Sequence, residues 1–162
     1  MKRLLALLIS CSCIQAKSIV TDDLVDKFAI IESNYNYEAV GDKGKAFGAW
    51  QMHKFAVIEG YSYLTKDAKS KSSRDSGIKE AINNWKSYAK HPFLSKEIAT
   101  SYMQILENQM LKEGVKPTPI KLYMAWNMGF TGARSHRFNY ESYSLDNKRT
   151  SILRRANQIL SR

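Results

Sequence analysis

TDDLVDKFAIIESNYNYEAVGDKGKAFGAWQM (residues 21–52) is the stretch on which the fold turns. Its first part, TDDLVDKFAIIES, sets Leu24, Phe28 and Ile31 at helical spacing behind Thr21. Thr21 suits a helix N-cap, and Asp22 and Asp23 fall where the positive end of the helix dipole favours acids. The second part changes character: Asn36, Gly41, Asp42, Gly44 and Gly48 are turn residues and predict an irregular loop, with room for a short hairpin. Glu32 stands at the junction, in the last helical turn. The negative end of the dipole disfavours a carboxylate there and favours the protonated acid.

Helical periodicity continues downstream. A second helix is expected near His53, and residues 62–74, rich in Lys and Ser, read as an exposed polar loop. DSGIKEAINNWKSYAKH (75–91) puts Ile78, Ile82, Trp85 and Ala89 on one face, and Pro92 ends or kinks it. FLSKEIATSYMQILENQMLKEG (93–114) carries Leu94, Ile98, Ile105, Leu106 and Met110 and closes at Gly114. Pro117 and Pro119 punctuate the chain, and Thr118 caps PIKLYMAWNMG (119–129). The last helix, RTSILRRANQILSR (149–162), gathers Ile152, Leu153, Ala156, Ile159 and Leu160 on one side. The expected class is mainly α, a helical domain with a small irregular or β-hairpin region beside a cleft.

A chain of 162 residues suffices for one domain around one core. Its 44% hydrophobic and 25% charged residues are a globular balance. Residues 1–16 set Lys2 and Arg3 before a short apolar run, an export signal too short to span a bilayer, with cleavage expected after Ala16. A competing reading takes LISC (8–11) as similar to a bacterial lipoprotein box, in which a lipidated Cys11 becomes the mature N-terminus and tethers the domain to a membrane. Both readings export the domain, to the periplasm, the cell envelope or the medium. Cys11 and Cys13 are the only cysteines and lie two residues apart, so no disulfide framework is expected. The formal charge is +10, and losing Lys2 and Arg3 takes it from +10 to +8. A basic exported domain favours polyanions such as a cell wall. Nucleic acid is not expected as a partner, because Lys and Arg are scattered and no recognition motif is present.

Most catalytic classes lack their residues. There is no G-x-S-x-G elbow, phosphate-binding glycine loop or H-E-x-x-H. His53, His91 and His136 are widely separated, so neither metal nor cofactor is expected.

The Glu32 segment is where a resemblance enters. Glu32-Ser33, Asn36, Ala39, Gly44, Ala46, Gly48 and Gln51 resemble the catalytic segment of soluble lytic transglycosylases and goose-type lysozymes. GDKGKAFGAWQ (41–51) is similar to the goose-type form, Asp42 matching an acidic loop residue of that group. AWNMG (125–129) resembles the Ala-Tyr-Asn-Ala-Gly signature of the same superfamily, with Trp126 for Tyr and Met128 for Ala. The resemblance implies a lysozyme-like domain over residues 17–162, acting on peptidoglycan glycan strands as a monomer. It also implies that Gln51 and Asn127 bond sugar N-acetyl or backbone groups in the cleft. Three departures stand out: Ala49-Trp50 replaces Leu-Met, Tyr37 replaces a proline, and His53 stands where goose-type enzymes carry another acid.

The chemistry needs these residue types. Cleaving a glycosidic bond requires protonating a poor leaving group, so Glu32 must stay protonated near neutral pH, which burial against apolar groups achieves. Ile30, Ile31, Phe47 and Trp50 are candidates for that surround. Flat aromatic faces cover the C–H side of a pyranose, which makes Tyr123 and Trp126 candidates for substrate binding, with Tyr35 and Tyr37 behind them. Ser33 either orients Glu32 or closes the helix end. The preferred activity is a lytic transglycosylase that cuts the β-1,4 bond between N-acetylmuramic acid and N-acetylglucosamine, the resemblance implying attack by the sugar's own 6-hydroxyl. The alternative is a hydrolase in which Asp42, about 6.5–9.5 Å from Glu32, holds the water. A non-catalytic wall-binding accessory is the rival from another class.

Overall fold

The computed structural model of the protein describes residues 17–162 apart from 69 and 143. The expected leader, residues 1–16 with Cys11, lies outside the described residues. The elements run α1 (Asp22–Ser33), β1 (Val40–Gly41), β2 (Ala46–Phe47), β3 (Met52–His53), α2 (Lys54–Leu64), α3 (Lys71–Asn83), α4 (Trp85–Lys90), α5 (Pro92–Lys112), α6 (Pro119–Met128), α7 (Phe130–Ser135) and α8 (Asn147–Leu160). The fold is mainly α with a small antiparallel sheet of order β1-β2-β3, as expected. Among the described residues, no helix is long and apolar enough to cross a membrane.

α1 forms where its periodicity predicts. The Thr21 hydroxyl accepts from the Leu24 N–H, and Leu24, Val25, Phe28, Ala29 and Ile31 are buried. Asn34 and Tyr35 then adopt left-handed backbone and turn their N–H groups back onto the Ile30 and Ala29 carbonyls at 3.0 and 3.1 Å. That conformation costs a residue with a Cβ about 1–2 kcal/mol, so the surrounding packing must hold it.

The loop after α1 becomes the sheet. Val40 faces Phe47 and Gly41 faces Ala46, while Ala46 and Phe47 face His53 and Met52. Trp50 nails this region to α1. It is fully buried, its indole N–H donates to the Val25 carbonyl at 2.9 Å, and it meets Tyr35 and Tyr37 edge-on. Gly48 is needed for close approach: its φ is 77°, and a Cβ there would lie 1.8 Å from the Ala89 carbonyl oxygen of α4.

α5 runs through the core and packs on α6; its Ile98, Met103, Leu106 and Met110 share one apolar cluster with Leu122 and Met124 of α6 and Leu153 and Ala156 of α8. The buried Glu107 of α5 accepts from Ser18 Oγ at 2.5 Å and from the Ile19 N–H at 2.7 Å, fixing the segment ahead of α1.

Three local expectations are corrected. The polar loop is shorter than 62–74, because Ser70 caps Ser73 N–H and the Lys/Ser run becomes the first turns of α3. The helix over 75–91 breaks at Asn84, whose φ and ψ are −111° and 22°. Ala81 of α3 and Ala89 of α4 are buried, while Ile82 stays 38% exposed. α7 was not expected, and α8 begins two residues before Arg149 because Asp146 caps it, accepting from the Arg149 N–H at 2.7 Å.

Candidate active site

Glu32 lies in the last turn of α1, facing α6 and the start of α8. One edge of the residue meets solvent, yet its Oε1 is completely buried and finds no hydrogen-bond partner among the described residues. Burial raises the carboxyl from its ordinary 4.5 to about 7; the Tyr123 and Asn127 side chains and the positive charges of Arg155 and Arg149 oppose that rise without cancelling it. A buried polar atom left unpaired costs about 1–3 kcal/mol, so its retention calls for a reason. Near neutral pH this group holds a proton it can give away.

Two α6 residues frame it. Tyr123 is buried, edge-on to Phe28 at 5.2 Å, and burial together with the neighbouring Glu32 charge raises its phenol well above the usual range. It therefore stays protonated beside Glu32. Asn127, one turn later, is bound from α8: Arg149 Nη1 donates to its backbone carbonyl at 3.2 Å and also to its Oδ1.

The opposite wall comes from the sheet. Gln51 holds a left-handed φ of 48°, and its Nε2 donates to the Gly48 carbonyl at 2.9 Å. Gly41 makes room for that side chain, since a Cβ there would fall 2.0 Å from Gln51 Oε1. Asp42, just after β1, and His53, on β3, bring a carboxylate oxygen and a ring nitrogen to 3.4 Å, with both side chains more than half exposed.

These residues enclose a cleft cavity of about 470 Å³. Glu32 lines it together with Asp42, Gln51 and His53 of the sheet region, Trp126 and Asn127 of α6, and Asp146, Lys148 and Arg149 at the start of α8. A second cavity of about 280 Å³ shares Gln51, His53, Trp126 and Asn127 with the first and runs on past Phe55, Tyr102 and Met128. A third, about 370 Å³, continues along Phe55, Tyr102 and Phe130. Through these shared lining residues the three adjoin as an elongated, partly aromatic groove.

Of the residues the sequence singled out, Glu32, Asp42, Gln51, Trp126 and Asn127 line one cavity. Trp126 keeps partial exposure while packing edge-on against Phe28 and Tyr102. Tyr123 lies beneath Glu32 instead of facing the groove. Ser33 takes the second of its two expected roles and is not among the residues that line the cavity: its hydroxyl donates to the Ala49 carbonyl at 2.8 Å and accepts from the Asn36 N–H at 3.0 Å, closing the helix end onto the loop. Tyr35 donates to Asp26 and packs with Tyr37 and Trp50, away from the cavity linings. The apolar surround is also revised, since Ile30 is 44% exposed and Trp50 belongs to the core under the loop.

Sequence reasoning missed the α8 wall of Asp146, Lys148 and Arg149, and the pairing of His53 with Asp42. The α8 wall had one readable signal, an Asp three residues before Arg149 at a helix start. Among the described residues, no group of three or more His, Cys, Asp or Glu is placed to hold a metal ion. Set against protein-family models, curated proteins and solved structures, the chain matches none.

Proposed function

We propose that the protein is a peptidoglycan-cleaving glycosidase of lysozyme-like type, acting as a lytic transglycosylase with Glu32 as acid and then base. The observation that carries this reading is the Glu32 carboxyl, pushed to about 7 by burial at the wall of an elongated groove. Glu32 protonates the oxygen of the β-1,4 bond as that bond breaks, and positive charge develops at the anomeric carbon of the muramic acid residue. The Glu32 carboxylate then takes the proton of the 6-hydroxyl as that oxygen bonds to the anomeric carbon, closing a 1,6-anhydro ring and restoring the acid. Trp126 offers its exposed face to a sugar ring, and Gln51 and Asn127 offer amide groups from opposite walls. That both resembling motifs contribute to one cavity supports the reading.

The hydrolase reading has one observation in its favour: Asp42 lines the same cavity as Glu32. Against it, Asp42 is half in water and engaged by His53, a poor setting for a base that must orient one water molecule. Mass spectrometry of digested peptidoglycan decides the matter. Anhydro-muramic ends support the transglycosylase, reducing ends support the hydrolase, and undigested wall leaves only the binding accessory.

A further inference from the structure

The carbonyl of Asn127 lies in the last turn of α6, where intrahelical donors run out. Arg149 supplies one from α8, and the same nitrogen also donates to Asn127 Oδ1. Arg149 is itself placed by the start of its helix, its N–H bonded to Asp146 Oδ1 at 2.7 Å. An asparagine amide has one acceptor and two donor hydrogens. With Oδ1 committed to a guanidinium, a flipped amide would set donor against donor, so the amide has one stable orientation. We propose that Arg149 is a positioning residue that locks the Asn127 amide with its N–H₂ toward the Glu32 carboxyl.

The consequence rests on Glu32 being the acid/base. Before proton transfer, Glu32 Oε1 is buried without a partner. After transfer it is a carboxylate, and on this proposal the Asn127 N–H held toward it stabilises the charge without reorganisation. Arg149 also acts through its own charge, which favours the carboxylate, so orientation and charge must be separated. The other groups facing Glu32 are Tyr123 from α6 and Arg155 from α8, with Asp42 and His53 across the cavity and Asp146 and Lys148 at the α8 start.

The test uses Arg149→Gln, Arg149→Lys, Asn127→Ala and the Arg149→Gln/Asn127→Ala double variant of the whole chain, with thermal unfolding to establish that each is folded. Two readouts are taken: the Glu32 carboxyl titration by carbon NMR, and kcat and KM on peptidoglycan. Arg149→Gln is expected to raise the Glu32 titration midpoint and to lower kcat by about ten- to a hundredfold with little change in KM. Arg149→Lys keeps the charge without the fork, so it restores much of the midpoint while kcat stays low. In the Asn127→Ala background, Arg149→Gln is expected to cost far less than in the wild type. Equal costs in both backgrounds, or full recovery of kcat by lysine, overturn the inference. Titration needs no substrate, so the two failures are distinguishable. A wild type that cuts nothing but retains a non-additive Glu32 shift defeats the proposed function alone; additive shifts in an active enzyme defeat this inference alone. Should Arg149→Gln not fold, Arg149→Lys alone and in the Asn127→Ala background supplies the same comparison.

Discussion

Replacing Glu32 by glutamine should make the protein more stable, and more so as the pH rises. The carboxyl titrates near 7 in the fold against an ordinary 4.5, a rise of roughly 2.5 units caused by burial. Each unit corresponds to about 1.4 kcal/mol, so keeping Glu32 ionised costs the fold about 3 kcal/mol. The sign follows from proton uptake: between pH 4.5 and 7 the folded state binds more protons than the unfolded one. The favourable contribution is complete below 4.5 and lost as the pH climbs through 7. Glutamine resembles the protonated acid in shape and carries no charge. The difference between variant and wild type should therefore be small at pH 4.5 and grow to about 3 kcal/mol at pH 8, several degrees in Tm for a domain of this size. Urea unfolding of both proteins at pH 4.5, 6 and 8 measures it. A difference that stays flat with pH would show that Glu32 ionises as an ordinary surface carboxyl, and the case for a stored proton would fail.

Other outcomes follow from the same geometry. On the proposed reading, kcat/KM should fall as pH rises through about 7, because the protonated acid disappears; a limb near 4.5 would contradict the raised carboxyl. Asp42→Asn should leave a transglycosylase most of its activity and change stability by under about 1 kcal/mol, since its pair with His53 is exposed; loss of activity with fold intact would favour the hydrolase. Gly48→Ala should destabilise by at least about 1–3 kcal/mol, because the added Cβ meets the Ala89 carbonyl in a backbone region that disfavours alanine; thermal unfolding reads this, and a neutral result would show that the α4 contact yields easily.

What the sequence disclosed was mostly local. The α1 start at Thr21, the Pro92 boundary of α5 and the Thr118 cap of α6 were legible because each depends on chemistry within four residues. The Glu32–Gln51 and Trp126–Asn127 pieces were legible through resemblance, and they do line one cavity. The break at Asn84 was not, since periodicity alone carried the helix across two adjacent asparagines. Nor was the fate of Trp50, which a search for aromatic subsites would favour; only the Val25 carbonyl across the core reveals it as a structural pin. Arg149 was hidden for a related reason. It joins the site over 22 positions of chain, and its partner is an asparagine amide rather than a complementary charge.

The central claim is that the Glu32 proton drives bond cleavage. Its most direct test is the rate at which purified peptidoglycan is solubilised by wild type and by Glu32→Gln at pH 6, with wall binding measured in parallel. The account predicts that the variant binds as the wild type does and releases essentially no fragments. A Glu32→Gln protein that still cuts at a comparable rate would contradict it.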